Sequence, residues 1–99
     1  MAIKITDTIQ TDRGATNELY VMITSVDYMK PDTQLHVHVK TYFSESERLQ
    51  SENNTCKTFV IPGYYLYNYN METATDNAYT YAYNLLTTQL SSSYNVVQI

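Results

Sequence analysis

The sequence predicts an α+β domain, an antiparallel β-sheet of about four strands with a C-terminal helix packed on it. Residues 33–43 alternate strictly, Leu35, Val37, Val39, Thr41 and Phe43 against Gln34, His36, His38, Lys40 and Tyr42, which is the period of a half-buried strand. Ala74, Ala78, Tyr81, Ala82, Leu85, Leu86 and Gln89 recur at three- and four-residue steps, one stripe of a helix. Strands followed by a helix packed on the sheet make a two-layer α+β unit. A chain of 99 residues has room for one such domain and a modest core.

Taken in order, residues 2–9 alternate Ile3 and Ile5 against Lys4 and Thr6, a first strand. QTDRGATNE, residues 10–18, is polar and carries Gly14, so it reads as a turn or loop. LYVMITSVDY, residues 19–28, is β-branched and aromatic on both faces, the pattern of a more central strand. KPDT, residues 30–33, places Pro31 where a type I turn accepts it and predicts a hairpin into the alternating strand. Ser44 with Glu47 three residues later has capping-box spacing, predicting a short helical insertion near 45–51 closed by Asn53 and Asn54. Lys57–Ile61 reads as a strand with Cys56 alternating inward, Pro62-Gly63 as a turn or bulge, and 64–70 as an extended piece. The helix is expected near 75–90, with Thr73, Glu72 and Asp76 suiting its positive end. Val96, Val97 and Ile99 form a last short strand or an arm that docks elsewhere.

Composition narrows the function classes. Charged residues are only 16% of the chain, well under the usual quarter, and a surface of tyrosines and uncharged polar groups is poorly protected against association. The net charge is −4 and the six basic residues, Lys4, Arg13, Lys30, Lys40, Arg48 and Lys57, are scattered. Phosphate-backbone binding needs them clustered, so nucleic acid is not an expected partner. No apolar run approaches the ~20 residues that span a bilayer, so no membrane is expected. MAIKITDT lacks the apolar core of a signal peptide, which points to synthesis in a cytoplasm. The single cysteine, Cys56, excludes an internal disulfide and reads as a small buried apolar residue.

No catalytic motif stands out. Glu45 and Glu47 belong to the capping segment, and Asp7, Asp12, Asp27 and Asp32 read as strand-end or loop residues with turn chemistry. With only Gly14 and Gly63 there is no phosphate-cradling loop, and no Cys-x-x-Cys pair or nucleophile elbow. His36 and His38 project from one face of a strand. They can share a metal, but no third ligand has a recognisable spacing, so neither a metal nor a cofactor is expected and the chain is read as a non-enzyme.

The densest feature is YYLYNYN, residues 64–70. In an extended segment Tyr65, Tyr67 and Tyr69 fall on one face as an aromatic row. The row has three readings: packing against the Tyr79/Tyr83 flank of the helix, contact with another subunit, or a ligand site. Tyrosine is enriched at protein interfaces, and no basic groove accompanies the row as stacked single strands require. The row, together with the wet strand face His36, His38, Lys40 and Tyr42, makes the candidate contact surface.

MAIKITDTI, the strands ELYVMI and LHVHVKTYF, the insertion SESERLQ and the closing helix AYTYAYNLL resemble, in style and order of elements, small virion structural proteins of tailed bacteriophages. The resemblance implies a non-enzymatic tail, head–tail or capsid-associated subunit, made in the host cytoplasm and built into the virion. Its partners would be other copies of itself and other virion proteins. The alternative is a small carbohydrate- or host-factor-binding module in which the same tyrosines grip a ligand.

Overall fold

Hydrophobic alternation becomes a sheet with one buried and one partly open face. The computed structural model describes residues 1–29, 33–71, 73–75 and 77–99. Among them the strands are β1 (Ile3–Ile5), β2 (Ile9–Thr11), β3 (Gly14–Thr16), β4 (Leu19–Met29), β5 (Gln34–Tyr42), β6 (Tyr64–Leu66) and β7 (Val96–Gln98). The helices are α1 (Glu45–Gln50) and α2 (Ala78–Ser91). Five strands form one antiparallel sheet in the order β6-β5-β4-β1-β7, while β2 and β3 make a separate hairpin. The fold is thus α+β, with the C-terminal helix lying on the sheet. The predicted turn at Lys30, Pro31 and Asp32 and the helix-start acids Glu72 and Asp76 lie outside the described residues.

Ile3, Ile5, Leu19, Val21, Leu35 and Val37 point to the buried face and lose all contact with solvent. Ala82, Tyr83 and Leu86 of α2 close over them. The helix is therefore rotated relative to the predicted stripe: Tyr83 is in the core, whereas Leu85 is exposed and Gln89 faces solvent. It begins one residue after Asn77, whose side-chain Oδ1 accepts from the Thr80 amide at 2.9 Å and so satisfies one of the orphan donors of the first turn.

The segment read as a polar loop folds as the β2–β3 hairpin. Gly14 takes φ +111°, a backbone that an L-residue rarely adopts. The predicted strand over Lys57–Ile61 does not form. Thr55 makes an isolated bridge to Tyr42 and the Cys56 amide donates to the Thr41 carbonyl at 2.8 Å. From there the Asp12 carboxylate takes over, accepting from the Lys57 amide at 2.8 Å and the Thr58 amide at 3.4 Å. The Thr41 hydroxyl donates to the Phe59 carbonyl. Side chains thus occupy the backbone groups that a strand would need. Cys56 is buried as expected, but Thr58 and Val60 face outward.

At the sheet's edge β7 pairs with β1 inside the same chain, tied further by the Asn95 amide and side chain to the Asp7 carboxylate at 2.9 and 2.8 Å. The terminal segment is a fifth strand of its own sheet.

Candidate functional site

The outer face of the sheet, opposite α2, divides into a covered half and an open half. Ser44 caps α1 by accepting from the Glu47 amide at 3.4 Å, and the helix settles over β4 and β5. Arg48 Nε donates to Met22 Sδ at 3.2 Å and the Tyr42 hydroxyl donates to the Glu52 carbonyl at 2.9 Å. Tyr42 is only 1% exposed, which corrects its expected role as a surface contact: the segment after β5 covers it. Burial pushes the Tyr20 and Tyr42 hydroxyls above the usual tyrosine range. Lys40, opposite Met22 in the register, stays exposed.

The open half depends on an irregularity in β4. Ile23 pairs with Val39, but Ser25 pairs with His38, so one extra residue enters the strand at Thr24. The insertion reverses the alternation. Leu19, Val21 and Ile23 face the helix, and after the bulge Val26 and Tyr28 pack on the core, leaving Ser25 and Asp27 on the outer face opposite His38 and His36. The Ile23 amide, beside the bulge, donates to the buried Tyr83 hydroxyl at 2.9 Å. Asp27 was expected at a strand end with turn chemistry. It stands instead within β4, directly across from His36.

His36, His38 and Asp27 come together there. The imidazole centroids lie 4.1 Å apart, and His38 Nε2 stands 3.6 Å from Asp27 Oδ2. One ligand-type atom from each of the three residues lies within 4.8 Å of the other two. On β6, Tyr65 pairs with His36 and stacks on its ring at 4.4 Å with planes 13° apart. Gly63 lies against the two rings: a Cβ there would sit 3.3 Å from the Val37 carbonyl, 3.6 Å from His36 Nε2 and 3.7 Å from His38 Nδ1. The His38 and Asp27 side chains are 44% and 65% exposed, and a polar contact that open to solvent contributes at most about 1 kcal/mol to folding.

The tyrosines do not form one row. β6 ends at Leu66, and Asn68 adopts φ +65°, which breaks the alternation. Tyr65 is 47% and Tyr67 60% exposed, whereas Tyr69 is 4% exposed and packs at 4.9 Å from Tyr81 and 6.2 Å from Tyr28. Of the predicted surface, His36, His38, Tyr65, Tyr67 and Lys40 remain available. Tyr69 and Tyr42 belong to the interior.

On the other side of β6 a groove of about 640 Å³ runs between the strand and the C-terminal half of α2, lined by Ile61, Tyr64, Leu66, Leu86, Leu90 and Tyr94 among others. Tyr64 lines it, and desolvation pushes its hydroxyl up to about 12. The Cys56 thiol lies elsewhere, beneath the outer edge of β5, and burial pushes its pKa up as well. The thiolate needed for nucleophilic or metal chemistry is thereby disfavoured.

No protein-family model, curated protein or solved structure matches this chain. The functional reading therefore rests on the residues themselves.

Proposed function

We propose that the chain is a non-enzymatic subunit that works inside an assembly, making its contacts through the open half of the outer sheet face. The observation that carries this reading is the exposure of large side chains on one end of the outer sheet face. Met29, Tyr65 and Tyr67 are 43%, 47% and 60% exposed, with His36 and His38 beside Tyr65 and Asp27 and Lys40 as the nearby described charges. Tyr and Met are residue types that interface centres favour, and rigid aromatic rings give contact area at low entropic cost. The three-residue strand β6, at the sheet's edge, presents Tyr65 to the same side. The virion setting, with copies of this chain and other virion proteins as partners, enters the proposal from the sequence resemblance.

Sedimentation velocity over a concentration series tests it. The wild-type chain is expected to self-associate, or to co-sediment with components encoded beside it. Tyr65→Ser combined with Tyr67→Ser should weaken that association roughly thirtyfold or more, the effect of losing about 2 kcal/mol at an aromatic hot spot. A wild-type chain that stays monomeric and binds none of those components would refute the proposal, as would a double variant that associates normally.

A further inference from the structure

We infer that Asp27, His36 and His38 form a binding site for a divalent transition-metal ion of the zinc class. The ligand set narrows the ion: two imidazoles and one carboxylate suit zinc, copper, nickel or ferrous iron, whereas magnesium and calcium take oxygen ligands. Zinc holds imidazole nitrogen and carboxylate oxygen at about 2.0–2.2 Å, which places tetrahedral ligand atoms about 3.4 Å apart. The His38 Nε2 to Asp27 Oδ2 separation of 3.6 Å already has that spacing. The widest pair of ligand atoms, within 4.8 Å, needs to close by at most about 1.4 Å, a motion within reach of side-chain rotation at an exposed site.

The scaffold favours such a site. All three residues project from paired strands of a five-stranded sheet, where positions directly across from one another hold their Cβ atoms about 5 Å apart. Tyr65 stacks on His36 and is a positioning residue for that ring. Gly63 carries no side chain beside His36 Nε2, where a Cβ would sit 3.6 Å away. Folding does not account for the arrangement, because the His38–Asp27 contact is exposed and exposed polar contacts contribute little. Three protein ligands leave an open coordination position, as in zinc sites that also hold water or an outside group. All three ligands come from one chain, so the site does not depend on the assembly reading.

Titration calorimetry with zinc chloride, on protein stripped with a chelator and then freed of it, tests the site. One zinc ion per chain should bind, with magnesium chloride giving no comparable heat. Removing a residue that merely supports a ligand weakens metal binding 10–100-fold. Removing a ligand itself, in His36→Ala or His38→Ala, should therefore weaken binding about a hundredfold or more. Two-dimensional NMR of the imidazoles should show zinc shifting the signals of both rings. Zinc should raise the melting temperature of the wild type and leave that of His38→Ala unchanged, which also shows that the variant is folded. Tyr67→Ser, a test of the assembly reading, should bind zinc as the wild type does. Absence of zinc binding by the wild type would overturn the inference. So would His variants that bind with wild-type affinity, or binding abolished by Cys56→Ser but retained by His38→Ala.

Discussion

Replacing Tyr83 by Phe removes one oxygen from the interior and little else. That oxygen accepts from the Ile23 amide at 2.9 Å, and both residues are only 3% exposed. The Phe ring keeps the apolar contacts of Tyr83 with the core, so the change isolates the hydrogen bond. A buried donor left without a partner costs about 1–3 kcal/mol, and the space vacated by one hydroxyl is too small and too apolar to recruit a bonded water. Unfolding entropy of about 2.1 cal/mol/K per residue gives roughly 0.2 kcal/mol/K for 99 residues. The expected fall in Tm is therefore about 5–15 °C. Thermal melts by circular dichroism measure it. Urea unfolding should give a lower midpoint with an unchanged slope, since the surface exposed on unfolding does not change. Amide exchange should accelerate at Ile23 more than at its neighbours in β4. A Tm within about 2 °C of the wild type, below the ~5 °C that even 1 kcal/mol produces, would show that the amide finds a partner across the ladder and that Tyr83 is only filler.

Two further outcomes concern titratable groups in the core. Burial raises the hydroxyl pKa of Tyr64 to about 12 and also pushes up those of Tyr83, Tyr20 and Tyr42, so the fold favours their neutral forms. Their contribution is fully present below the unfolded tyrosine value of about 10 and is lost as pH rises toward 12. Absorbance at 295 nm should show a late tyrosinate fraction rising together with loss of far-UV signal. Ionisation of all eleven tyrosines near pH 10 with structure intact would contradict this. The Cys56 thiol, 3% exposed and raised by burial, should not react with a disulfide reagent in native buffer during the time the guanidinium-unfolded chain takes to react fully. Equal rates in the two states would show that the 55–61 segment opens readily.

What the sequence made legible were features set by a single neighbour relation. The alternation of residues 33–43 became β5 with Leu35 and Val37 sealed, because one face meets a helix and the other does not. Ser44 capped α1 because a hydroxyl three residues before an amide needs no tertiary help. Features decided by distant partners were misread. Asp12, 45 residues away, takes the Lys57 amide and replaces a strand that local propensity favoured. Asn68, in a left-handed conformation, splits the tyrosine row, so Tyr69 follows the packing reading, though against Tyr81, while Tyr65 and Tyr67 stay exposed. The helical stripe was legible but its phase was not: Tyr83 was read as a flank, and a polar tip that bonds a strand amide is what allows it inside.

The candidate site itself follows from the same competition between pattern and packing. In LYVMITSVDYM the apolar parity changes midway. Leu19, Val21 and Ile23 are odd-numbered, while Val26 and Tyr28 are even-numbered. Read as an unbroken strand, the segment seems apolar on both faces, and its continuation would send Asp27 under α2 and Val26 and Tyr28 into water. An unpaired carboxylate in that core would cost several kcal/mol. Inserting Thr24 as a bulge exchanges the two sets of residues for the loss of a stretch of regular ladder, and at that point the Tyr83 hydroxyl satisfies the Ile23 amide. The demand of the core for Val26 and Tyr28 thus delivers Asp27 to the face where β5 already presents His36 and His38. A parity switch within one strand, followed across the hairpin to two histidines two residues apart, is the sequence signal that locates this cluster.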